Sequence, residues 1–108
     1  MKMTPELPNA FLSLREAYPE VAKAYDVLAE AAQAAGPLSS RERELVKLAL
    51  SIGAGLEGAT HSHTRRSLDQ GVTAEELRQV ALLSVTTLGF PSAVRGYTWI
   101  NDVLESKP

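Results

Sequence analysis

The chain has 108 residues and a formal net charge of −2. That length folds as one domain with a modest core, and that charge argues against nucleic acid or an anionic membrane surface as partner. There is no cysteine, which excludes disulfides, thiolate metal sites and any mechanism run by the protein's own thiol.

A single domain over residues 1–108 is therefore expected. With 44% hydrophobic and 22% charged residues the composition is that of an ordinary globular protein, neither disordered nor fibrous. The opening "MKMTPELPNAF" carries a lysine with no apolar run behind it, which does not read as a signal peptide. No stretch approaches the roughly 18 apolar residues of a membrane span. A soluble, cytoplasmic protein is the expectation.

The periodicity is helical from end to end. A short helix around Asn9–Tyr18 is ended by Pro19, which suits the first turn of the next. In that second helix Val21, Tyr25, Leu28, Ala32 and Ala35 form a stripe along one face, stopped by Gly36-Pro37. Ser39 and Glu42 have the spacing of a capping box for a third helix, with Leu45, Leu48, Ala49 and Ile52 inward. The glycines of "GAGLEG" (53–58) break or thin that helix. A fourth helix follows, closed by Gly71 as a left-handed cap. Thr73 and Glu76 make a second capping box, and Leu77, Val80, Ala81, Ser84 and Leu88 carry a fifth helix. Gly89 and Pro91 separate it from a sixth, with Ala93, Tyr97, Ile100 and Leu104 on one face. No strand-like alternation competes, so the fold class is all-α with about six helices.

The fourth helix holds "ATHSHTRRSLDQG" (59–71) and with it both histidines of the chain, His61 and His63. On a strand the two imidazoles would point the same way and chelate one metal. On a helix, residues two apart diverge by about 200° around the axis, so they cannot. No metal is expected. Ala59, His63 and Ser67 form a row of small neighbours suited to packing, whereas Glu57, His61 and Arg65 form a charged row suited to solvent. His63 is the inward candidate and His61 the outward one. Spacing alone fits a satisfied structural histidine at least as well as a functional one.

Three separated blocks, "LSSRERELV", "HTRRSLDQGVTAEEL" and "GFPSAV", carry a resemblance that runs from about Leu38 to Val94 in order and spacing. They resemble the carboxymuconolactone decarboxylase and alkylhydroperoxidase D-like superfamily. The resemblance implies an all-helical unit that assembles into homotrimers or homohexamers. In the peroxidase branch a glutamate is followed by eleven residues, Cys-x-x-Cys, three residues and a histidine. With His63 as that histidine, the glutamate falls on Glu44, and the two cysteines fall on Leu56 and Ala59. A thiol peroxidase needs one sulfur to attack the peroxide and a second to resolve the sulfenic acid. Peroxidase (peroxiredoxin) activity would therefore be a label inherited from the family. The decarboxylase branch does without the cysteines, and its H-x-R-R-A-L…G-V-T…E-L segment is close to "HTRRSLDQGVTAEEL". That branch has a histidine and aromatics before Gly-Trp-Pro, where this chain has Leu83, Thr86, Thr87 and "GFP".

What the resemblance leaves is an acid/base pair, Glu44 and His63. A glutamate at the edge of an apolar helix face beside an inward histidine can exchange protons with it; the ordinary alternative is a carboxylate favoured by the start of its helix. Arg65 and Arg66 offer guanidinium forks for a substrate carboxylate. Adjacent helical residues point about 100° apart, so at most one reaches the site. Arg66, three residues after His63, is the better placed, the alternative being a solvated surface charge. The threonines 60, 64, 86 and 87 come with no identifiable base or oxyanion device. Tyr97 and Trp99 are expected in core or subunit contacts. Two functions stay open: lyase- or isomerase-type chemistry on a small carboxylic acid or lactone, and a non-catalytic oligomeric binding or scaffold protein. Neither calls for a cofactor.

Overall fold

A computed structural model of the chain describes residues 9–106, so "MKMTPELP" lies outside the described residues. Every element among them is helical, as expected: α1 (Asn9–Ala17), α2 (Pro19–Ala34), α3 (Ser40–Ala54), α4 (Glu57–Asp69), α5 (Ala74–Leu83), α6 (Val85–Leu88) and α7 (Phe90–Leu104). None is long and apolar enough to cross a membrane. The described residues group into two compact units, 9–38 and 39–106.

The first unit pairs α1 with α2. Pro19 stands in the first turn of α2, where its missing N–H would have had no helical partner. Arg15 on α1 forms an ion pair with Asp26 on α2, and its guanidinium lies 5.4 Å above the Phe11 ring. The apolar stripe of α2 forms but does not enter a core. Val21, Tyr25 and Leu28 are 58%, 58% and 67% exposed.

The second unit contains the core, built from Leu48, Ile52, Val72, Leu77, Ala81 and Ile100, with Leu45, Val80 and Leu104 packed against it. Both predicted capping boxes form: Ser39 with Glu42 at the start of α3, and Thr73 with Glu76 at the start of α5. Each satisfies backbone N–H groups that the first helical turn leaves without partners. Arg41 of α3 reaches the same Glu76 oxygen that accepts the Thr73 N–H, so one carboxylate joins two helix starts.

Two left-handed glycines make the turns on either side of α4. Gly55 (φ 71°) lets its own N–H reach the Ile52 carbonyl and the Leu56 N–H reach that of Ser51. Gly71 (φ 85°) does the same with Leu68 and, through Val72, Ser67. These paired bonds are Schellman turns, and they need a residue without a Cβ penalty at positive φ.

Several sequence expectations are corrected. Ala49 is exposed rather than inward, and Tyr97 is not in the core, one of the two places expected for it. The fifth helix is not continuous to Leu88; it breaks at Ser84. There the Ser84 hydroxyl and backbone N–H both donate to the Ala81 carbonyl, at 2.6 and 3.1 Å. That local bond competes with the regular ladder, and Val85-Thr86-Thr87 are β-branched residues that prolong a helix poorly. Trp99 is half-buried under Arg95, whose guanidinium lies 5.3 Å from the ring and donates to the Ile52 carbonyl at the end of α3. α7 crosses α3 closely at Gly96: a Cβ there would lie 2.9 Å from Ile52 Cγ2.

Candidate active site

The Gly55 turn sends α4 back along α3, so a residue early in α3 meets one in the middle of α4. Glu44 and His63 are that pair, with Glu44 Oε1 2.8 Å from His63 Nδ1. Their side chains are 15% and 16% exposed, sheltered from solvent without being sealed off. A carboxylate only accepts, so the Nδ1–H donates to Glu44, and Nε2 is left with its lone pair. The arrangement can take up a proton at Nε2 while Glu44 holds the ring in one tautomer and supports the imidazolium that forms.

The two histidines part company as the helical phase requires, but His61 is not the free outward residue expected. Its Nε2 lies 3.0 Å from Asp102 Oδ2 on α7, and its side chain is 25% exposed. The row taken as inward also shifts by part of a turn. Thr60, Thr64 and Ser67 are fully buried, while Ala59 and His63 are half-buried. The reason is that α4 packs between α3 and α7, so its inner face points between them and each histidine lies on a flank with a helix beside it.

Thr60, Thr64 and Ser67 recur at i, i+4 and i+7, a helical row visible in the sequence once hydroxyls are allowed to count as buried. They manage burial by local bonding. Thr60 Oγ1 donates to the Leu56 carbonyl at 2.8 Å, and Thr64 Oγ1 to the Thr60 carbonyl at 2.7 Å. Ser51 on α3 donates to the Leu48 carbonyl at 2.7 Å and lies 3.0 Å from Thr60 Oγ1. Among the described residues, Ser67 Oγ alone is buried without a hydrogen-bond partner. These hydroxyls are occupied in packing the seam that carries the Glu44–His63 pair. Asp102 as the partner of His61 had no signal in the sequence, because 41 residues separate them.

Arg66 is exposed, three residues along α4 from His63, and Arg65 is half-buried. Leu56, at the position of the first family cysteine, is exposed at the start of α4, and Ala59, at the second, is half-buried one turn before His63. The Glu and His positions of the family pattern are thus kept, and both thiol positions are apolar.

The chain is 28% identical over 89 residues to an uncharacterized protein of Cupriavidus necator, an alignment covering 82% of this chain and 79% of that protein. No solved structure matches it. The sequence model of the carboxymuconolactone decarboxylase family matches residues 19–102, from the start of α2 into the last turns of α7. On that match, the chain belongs to the carboxymuconolactone decarboxylase family.

Proposed function

We propose that this protein catalyses a cysteine-independent, lyase- or isomerase-type reaction on a small carboxylic acid or lactone, with His63 as the proton-transferring group and Glu44 as its partner. The observation that carries this reading is the 2.8 Å Glu44–His63 bond in a partly sheltered seam. In an isomerisation, His63 Nε2 takes the proton from a carbon next to a carbonyl and returns it to another. In a decarboxylation, the carboxylate leaves as CO₂, its bonding electron pair stays on the substrate carbon, and the imidazolium delivers the proton there. Either way the imidazole alternates between two protonation states, and a positioned acid or base of this kind contributes about 10²–10⁴-fold. Arg66 is the group assigned to the substrate carboxylate, since a guanidinium fork matches its two oxygens.

The active form is proposed to be a homo-oligomer, a trimer or hexamer. Large apolar side chains are exposed in both units, among them Val21, Tyr25 and Leu28 on α2, and Leu50, Leu82 and Phe90 in the second. Val21, Tyr25 and Leu28 follow one another along a single face of α2, and an exposed apolar stripe is the kind of surface that another subunit covers. Light scattering at micromolar concentration should return a multiple of the 11.6 kDa chain mass, and a monomer mass would refute the assignment.

The activity is tested by screening purified protein against lactones and small carboxylic acids, with hydroperoxide plus dithiol as the control. Turnover lowered about 10²–10⁴-fold by His63→Ala is expected, and no turnover of the peroxide. Binding of such acids without turnover would instead support the non-catalytic binding or scaffold role. Neither binding nor turnover across the panel would reject the substrate class.

A further inference from the structure

The other histidine stands in a second cluster, on the opposite flank of α4. Glu57 and His61 are one turn apart on α4, and Asp102 comes from α7; one ligand atom of each lies within 4.8 Å of the others. We propose that Glu57, His61 and Asp102 bind a divalent transition-metal ion that ties α4 to α7.

Charge is the first argument. Two carboxylate oxygens come within 4.8 Å of each other around one imidazole. His61 Nε2 offers a single N–H, and it serves Asp102 at 3.0 Å. The Glu57 carboxylate has no hydrogen bond or ion pair among the described residues. Two like charges this close repel, and a cation between them removes that repulsion.

Geometry and donor chemistry supply the rest. Ligands at i and i+4 share one helix face, so the α4 pair forms a chelate without distorting the backbone. Metal–ligand bonds of about 2.0–2.2 Å place neighbouring ligand atoms about 3–3.5 Å apart. The His61–Asp102 separation already meets this, and Glu57, exposed in the first turn of α4, has the freedom to close the remaining distance. One imidazole nitrogen with two carboxylate oxygens suits zinc, manganese, cobalt or nickel; calcium prefers oxygens alone. On binding, Nε2 turns its lone pair to the metal and the ring proton moves to Nδ1, so the imidazole stays neutral. Three protein ligands leave at least one coordination position to water.

This site is independent of the Glu44–His63 pair and survives if the proposed activity fails. The test is calorimetric titration of the untagged full chain with Zn²⁺, and with Co²⁺ monitored by its visible absorption. One ion per chain is expected, weakened about tenfold or more in His61→Ala and in Asp102→Asn and retained in His63→Ala. Where a His61 variant fails to fold by circular dichroism, Glu57→Gln on the exposed first turn carries the same comparison. No saturable binding, or binding unchanged by His61→Ala, Asp102→Asn and Glu57→Gln alike, would overturn the site. Binding lost in His63→Ala and kept in His61→Ala would overturn it equally, placing the ion at the other pair.

Discussion

Glu44 and His63, 19 residues apart in the chain, share a 2.8 Å hydrogen bond across the α3–α4 seam. The bond presents the imidazole with Nε2 as its basic nitrogen. Replacing His63 with Ala should lower turnover by about 10²–10⁴-fold. Glu44→Gln, which keeps the shape but accepts less strongly and supports the imidazolium less, should reduce kcat more than it raises KM. If the pair is only structural, His63→Ala instead costs about 1–3 kcal/mol of stability by leaving Glu44 without its donor. Rate and denaturation measured on the same preparations separate the two outcomes.

Acid should loosen the junction between the starts of α3 and α5. Arg41, and after it the Thr73 backbone N–H, hold the Glu76 carboxyl down at about 2 from an ordinary 4.5. A carboxylate depressed on folding contributes stability that is present above the unfolded value and lost as pH falls through the folded one. The contribution of Glu76 should therefore be complete above about pH 4.5 and disappear towards pH 2. Asp26, lowered by Arg15, acts in the same sense in the first unit. Denaturant midpoints measured from pH 7 to pH 2 should converge for wild type and Glu76→Gln at the acid end; a constant gap would contradict this.

Gly96 is where α7 comes closest to α3. A methyl group there would stand 2.9 Å from Ile52 Cγ2, inside van der Waals contact, and Ile52 is itself 1% exposed, with little room to move. Gly96→Ala should destabilise the protein by about 1–3 kcal/mol through overpacking. A paired Gly96→Ala, Ile52→Val chain should recover only what the Cδ1 contact at 3.1 Å contributes, because valine keeps both γ carbons; urea denaturation of both chains measures it.

Ser67 buries a hydroxyl with no partner. An unsatisfied buried polar group costs about 1–3 kcal/mol, so Ser67→Ala should leave stability equal to wild type or raise it. Thr64→Val, which removes a hydroxyl bonded to the Thr60 carbonyl, should not share that gain. A drop in stability for Ser67→Ala comparable to an ordinary lost hydrogen bond would show that the hydroxyl has a partner such as buried water.

What was legible in the sequence is what near neighbours decide. The capping boxes at Ser39–Glu42 and Thr73–Glu76 close within four residues, and the left-handed turn at Gly71 answers to a missing Cβ at one position. The divergence of His61 from His63 follows from the helical repeat alone. The family blocks likewise singled out Glu44 and His63, though only as positions in a pattern. Tertiary structure decided the rest, because each outcome depends on which helix lies alongside. Asp102 turns His61 from a solvent residue into half of a pair. The position of α4 between α3 and α7 buries Thr60 and Thr64 beside Ser67, and leaves Ala59 and His63 of the expected row half-buried. The stripe through Val21, Tyr25 and Leu28 has the period of a buried face and yet stays exposed: periodicity records that a face is apolar, and only packing determines what, if anything, covers it.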